Sequence, residues 1–115
     1  MSNTYIYYIN GQWVLSNEAT IPFNDLGFLY GDGLFETLRF DNHNIFAFEK
    51  HFIRLKQGLK IINLKITYNQ NQLYDLFKKI LSKNKLNSGI LRLMITRGNQ
   101  NKKTNEITPN IYISI

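Results

Sequence analysis

The chain has 115 residues, 43% of them hydrophobic and 14% aromatic, with a formal net charge of +6, two histidines and no cysteine. That length supports one packed core and not two ordinary domains, while the absence of cysteine excludes disulfide frameworks, thiolate metal sites and cysteine nucleophiles, and two histidines assemble no convincing metal-ligand cluster. No run of about 18 apolar residues occurs and the N-terminus lacks the regions of a signal peptide, so a cytoplasmic protein with no membrane partner is expected.

Tyr5-Ile6-Tyr7-Tyr8-Ile9 is dense in β-branched and aromatic residues, Asn10-Gly11 breaks it, and Gln12-Trp13-Val14-Leu15 resumes the same character. An Asn-Gly pair between two such runs is a strong hairpin signal. Residues 16–33, with Pro22, Asn24-Asp25, Gly27 and Gly31-Asp32-Gly33, read as a long loop. Leu34 to Phe40 and Ile45 to Phe48 predict a second hairpin, connected through Asp41-Asn42-His43-Asn44.

From Glu49 the period changes. Phe52, Leu55, Leu59 and Ile62 form one helical stripe, predicting a helix over about 49–62, and Leu73, Leu76, Phe77, Ile80 and Leu81 predict a second over about 70–85. Ile90 to Thr96 and Asn110 to Ile115 read as strands separated by a polar stretch from Gly98 to Thr108. The order ββββααββ argues for an α+β, two-layer fold: a mainly antiparallel sheet of about six strands with two helices on one face. The last strand stays apolar to its final residue, where chains usually trail into polar sequence, which suggests a polypeptide cut short.

Charge is unevenly spread. Residues 1–49 hold one Arg against six acids, and residues 50–115 hold thirteen Lys or Arg against two. The ten lysines are scattered and form no basic block, so a solvated helix face is favoured over a nucleic-acid surface.

Gly31-Asp32-Gly33 permits positive φ at two positions and by itself is a turn. Its flanks give it more meaning: Asn24-Asp25-Leu26-Gly27-Phe28-Leu29-Tyr30 before it, Leu34-Phe35-Glu36-Thr37-Leu38-Arg39-Phe40 after it, then Glu49-Lys50-His51-Phe52-Ile53-Arg54-Leu55. This succession resembles the class-IV (fold-type IV) pyridoxal-phosphate-dependent aminotransferases, a family that includes branched-chain and D-amino-acid aminotransferases and aminodeoxychorismate lyase. The resemblance runs from Ile9-Asn10-Gly11 to Thr96-Arg97-Gly98 and implies the family's N-terminal small domain over residues 1–115.

The resemblance implies that Arg54 binds the cofactor phosphate, a role that suits a planar guanidinium making paired, charge-assisted bonds. It also implies that Tyr30 and Phe35 border the substrate pocket and that Arg92 handles a substrate carboxylate. Lys102, in a loop that selects substrates in some relatives, is a further candidate, although an exposed loop lysine is its ordinary reading. His51 matches a helical histidine of the same segment and is expected to pack or hydrogen-bond locally; His43 is expected in an exposed turn. The Gly-rich segment fits neither a P-loop nor a dinucleotide fingerprint.

The lysine that attaches the cofactor, and the acid that faces its pyridine nitrogen, belong in the resembled family to a larger C-terminal domain outside this chain. None of the ten lysines here falls in a matching motif, so the 115 residues alone are expected to be inactive. For the complete enzyme the resemblance implies a homodimer acting either on an amino acid and a 2-oxo acid or on aminodeoxychorismate. A free-standing interaction or dimerisation module, and more remotely a basic nucleic-acid-binding domain, are the other readings.

Overall fold

The computed structural model describes residues 4–115, and the first three residues lie outside the description. Six strands form one antiparallel sheet: β1 (Ile6–Ile9), β2 (Gln12–Leu15), β3 (Gly33–Asp41), β4 (Asn44–Ile45), β5 (Ser88–Gln100) and β6 (Ile107–Ser114), in the spatial order β2-β1-β6-β5-β3-β4. Three helices accompany it, α1 (Leu26–Tyr30), α2 (Phe48–Ile61) and α3 (Gln70–Asn84). The predicted α+β class is the observed one.

The core lies between the sheet and the α2–α3 pair. Leu38 and Phe40 on β3, Leu91, Leu93 and Ile95 on β5, and Ile111 and Ile113 on β6 face Phe48, Phe52, Leu55 and Leu59 of α2 and Leu73, Leu76, Phe77, Ile80 and Leu81 of α3. Each such side chain contributes roughly 1.5–3 kcal/mol on burial, which is why the helical stripes were readable in advance. Phe48 anchors the helix pair, its ring edge-on to Phe77 at 5.6 Å and to Tyr74 at 5.0 Å between centroids. At the N-terminus of α3, Asn69 and Gln72 form a reciprocal capping box. At its other end Asn84 bonds both the N–H and the carbonyl of Ile6, fastening the helix to β1.

Four expectations need correction. The segment 16–33 is not all loop, because Asp25 caps a one-turn helix, accepting from the Gly27 and Phe28 N–H groups. β4 is only two residues long, joined to β3 by Asn42 and His43, both at positive φ (50° and 64°), and Phe46 and Ala47 turn the chain into α2 instead of extending the strand. The polar stretch from Gly98 to Thr108 is strand at both ends: β5 and β6 pair out to Gln100 and Ile107, with a bulge between Thr96 and Asn99, and only residues 101–106 form the connecting turn. Polar composition hid this because that arm of the hairpin projects beyond the core, where pairing needs no apolar face. Finally, only Gly31 of the Gly-Asp-Gly triplet has positive φ (68°), as the C-cap of α1; Gly33 is there for space, since a Cβ would lie 2.5 Å from the Ile95 carbonyl.

Asp25 fixes the whole α1 segment to the sheet face that α2 and α3 leave open. Its carboxylate is fully buried; Oδ1 accepts from the N–H of Gly27 (2.6 Å) and of Phe28 (3.2 Å). Oδ2 accepts from Thr96 Oγ1 (2.9 Å), Asn110 Nδ2 (2.8 Å) and the Tyr112 hydroxyl. Burial alone would push the carboxyl pKa up, but the donors from Tyr112, Asn110, Thr96 and Phe28 outweigh it and hold the value below the usual carboxylate range. Burial, reinforced by the same pairing, raises the Tyr112 hydroxyl pKa above its ordinary value.

Replacing Asp25 by Ala strands several buried donors at about 1–3 kcal/mol each, so D25A should lose at least about 3 kcal/mol and more than about 10 °C in melting temperature. Because the folded-state pKa is depressed, the stabilisation is full above the unfolded value of about 4 and fades as pH falls below it. The gap between wild-type and D25A melting temperatures should therefore be constant from about pH 6 upward and narrow below about pH 4.

Candidate active site

Strand β3 divides its side chains between two environments. Leu34, Glu36, Leu38 and Phe40 point toward the helices, and Phe35, Thr37, Arg39 and Asp41 point to the open face. Glu36 is thus an acid in the core phase of the strand, 7% exposed, where an unpaired carboxylate would be costly. Two side chains one turn apart on α2 satisfy it. His51 Nδ1 donates to Oε1 at 2.6 Å; Arg54 donates from Nη2 to Oε1 at 2.7 Å and from Nε to Oε2 at 3.0 Å. Burial raises the Glu36 carboxyl, but hydrogen bonds from Arg54 and then His51 more than reverse this and leave its pKa lowered.

The Arg54 guanidinium is consequently held along one edge while the rest of it faces solvent: its side chain is 68% exposed, and Nη1 has no partner among the described residues. Outward-facing donors on a pinned fork are the arrangement that grips a phosphate or carboxylate. Beside it, the edge of β3 that faces away from β5 is unpaired for most of its length, because β4 pairs only with Phe40 and Asp41.

On the open face, α1 and β3 bound a cleft of about 370 Å³ lined by Ile21, Phe28, Phe35, Met94, Thr96 and Tyr112 among others. Asp32, between the two glycines, is locked at the rim: Arg97 Nε donates to its carboxylate at 2.6 Å and the Arg97 N–H to its carbonyl at 2.9 Å, while Arg97 Nη2 reaches the Ile62 carbonyl at 2.7 Å. Arg97 thereby ties the glycine turn to the end of α2.

Of the residues singled out from sequence, Phe35 lines the cleft and is 68% exposed. Tyr30 ends α1 and is 78% exposed, outside the cleft lining. Arg92 lies on the open face of β5 opposite Thr37. Lys102 sits in the exposed turn between β5 and β6, apart from the cleft lining. Arg54 stands on the helix side of the β3 edge, whereas Phe35 and Arg92 stand on the open side. Glu36, Asp25 and Arg97 were not singled out for a role. Glu36 could have been, because it breaks an otherwise apolar phase of Leu34, Leu38 and Phe40.

A profile of the amino-transferase class IV family matches residues 33–115. D-alanine aminotransferase of Staphylococcus aureus is 31% identical over 108 residues, covering 94% of this chain and 38% of that enzyme; the Listeria monocytogenes enzyme of the same name is 33% identical over 104 residues, covering 90% and 36%. The chain thus spans less than two-fifths of the length of these relatives. Among solved structures, Escherichia coli branched-chain amino acid aminotransferase superposes with a TM-score of 0.84 at 23% identity (96% of this chain, 40% of that one). The 4-amino-4-deoxychorismate lyase of Pseudomonas aeruginosa gives 0.71 at 26% (94% and 38%).

The Glu36–Arg54 pair should be visible directly by NMR. The Arg54 Nε–H resonance should be exchange-protected in the wild type, unprotected in E36A, and lost in the wild type only as pH falls below about 4. That sign follows from the depressed Glu36 pKa, since the carboxylate form persists down to and below its unfolded value of about 4.3. Taken together, the glycine turn, the pinned arginine and the matches to known proteins show that this chain belongs to the class-IV aminotransferase family.

Proposed function

We propose that these residues form the N-terminal small domain of a pyridoxal-phosphate-dependent aminotransferase that moves an amino group between an amino acid and a 2-oxo acid. The observation that carries the reading is the Arg54 guanidinium, oriented by buried Glu36 and open to solvent on its remaining donors. That arrangement fits the phosphate end of the cofactor. Bound pyridoxal phosphate would supply the electron sink for chemistry at the substrate α-carbon.

This chain's own residues bind and orient. Arg54 holds the phosphate; Phe35, with Tyr30 at the rim, bounds the substrate side; Arg92 receives a substrate carboxylate; Lys102 is a candidate contact from the β5–β6 turn. A larger C-terminal domain provides the attachment lysine and the acid facing the ring nitrogen, so residues 1–115 by themselves are inactive. The covered length of the D-alanine aminotransferase relatives supports this division. A homodimer accounts for the apolar groups left exposed near the cleft, Phe23, Phe28 and Tyr30 among them. Among the described residues no helix is long and apolar enough to cross a membrane.

A second reading, pyruvate elimination from aminodeoxychorismate, is favoured by the 26%-identical lyase structure. Assaying the intact protein for 4-aminobenzoate release against transamination of D-alanine and branched-chain amino acids separates the two. In the same protein R54Q should weaken pyridoxal phosphate binding ten- to a hundredfold, the value of one or two charge-assisted hydrogen bonds, and R54K should fall between. Wild-type affinity in R54Q, or an intact protein that binds no cofactor, would overturn the reading.

A further inference from the structure

The C-terminal end of α2 borders a cleft of about 550 Å³ that shares no lining residue with the open-face cleft and does not include Arg54. Lys56 and Lys60 stand on its helical wall, Lys65 joins them from the connection to α3, and Leu59, Leu64 and Ile66 supply its apolar floor. No carboxylate lines it, and residues 50–74 hold four lysines and one arginine without an acid. Among the described residues none of the three lysines makes an ion pair or a hydrogen bond.

The fold itself does not account for them. The last carbonyls at this end of α2 already have donors: Gly58 accepts from the Ile62 N–H at 3.1 Å, Leu59 from Leu64 at 2.9 Å and Lys60 from Asn63 at 3.2 Å, while Arg97 takes the Ile62 carbonyl. The negative end of the helix dipole favours Lys60 in the last turn, but Lys56 sits a turn earlier and Lys65 lies past the helix. Lys56 and Lys60, four residues apart on one helix, have a like-charge spacing that destabilises it. Solubility is served by mixing both signs of charge. Here one sign surrounds a concave, partly apolar surface and concentrates its field on whatever enters.

The chemistry of the lining defines the ligand. Lysines are compact point charges without the planar fork of arginine, so three around one cleft match the charge strung along a polyphosphate better than a single flat carboxylate. The volume suits a molecule larger than the phosphates alone, and the leucine and isoleucine floor offers its remainder an apolar surface. We propose that this cleft binds an organic polyphosphate of the nucleoside triphosphate class, with the phosphate chain on Lys56, Lys60 and Lys65 and the base against the floor. The site stands apart from the function proposed above, because it uses neither Arg54 nor the open face.

Calorimetric titration of the intact protein with ATP, tripolyphosphate and adenosine is the test. ATP should bind at least about threefold more tightly than either fragment, and K56Q/K60Q/K65Q should weaken it about tenfold or more. R54Q should leave ATP affinity within about twofold, as should K79Q/K85Q/K103Q, which removes the same charge from other exposed positions. No heat with ATP at about 5 mM, ATP binding no tighter than a fragment, or unchanged affinity in K56Q/K60Q/K65Q overturns the proposal. An equal loss in the charge-matched variant overturns it in favour of a diffuse field, and a loss confined to R54Q overturns it by assigning ATP to the Arg54 site. Pyridoxal phosphate absorbance in the same samples reads the cofactor separately, so a failure of ATP binding in protein that holds the cofactor defeats only this inference.

Discussion

The candidate site depends on one buried ionic contact, that between Glu36 and Arg54. Glu36 sits where the alternation of β3 calls for an apolar side chain, and a carboxylate is tolerated there only because α2 presents His51 and Arg54 one turn apart to meet it. Arg54 would otherwise be a mobile surface side chain. With its Nε and Nη2 committed to Glu36 it becomes a fixed fork whose outer donors have a defined direction, which lowers the entropy lost when an anion binds.

A second buried carboxylate does comparable work on the opposite face. Asp25 collects donors from α1, β5 and β6, so the cleft wall formed by α1 is set by polar contacts and not by an apolar core of its own: the five-residue helix buries none of its residues. Asp32 and Arg97 extend this logic by fastening the glycine turn to the end of α2. Polar pairs place the rim of the site, and the leucine, isoleucine and phenylalanine layer beneath it supplies the stability that they draw on.

Much of this was legible in the sequence, and the boundary between what was and was not is physical. Long apolar stripes such as Leu73 to Leu81 announce a helix because burial energy imposes the period. The short α1 carries no such stripe, and its only local signal, Asp25 as N-cap, lies amid glycine and proline that argue for loop. β5 beyond Gly98 is paired without being buried, so its polar residues gave no alternation to read. Arg54 stands out from other helical arginines in the sequence only through its resemblance to a family motif. Its partner Glu36 needed the register of β3 against the helices, which no single stretch of chain contains.

On the reading proposed above, Arg54, oriented by Glu36, holds the cofactor phosphate as a dianion. The most direct measurement is a phosphorus NMR pH titration of pyridoxal phosphate bound to the intact protein, compared between wild type and R54Q. Free phosphate monoesters lose their second proton near pH 6. A flat wild-type chemical shift from about pH 5.5 to 8, with a titration returning near pH 6 in R54Q, is the predicted result. Identical curves for the two proteins would contradict it.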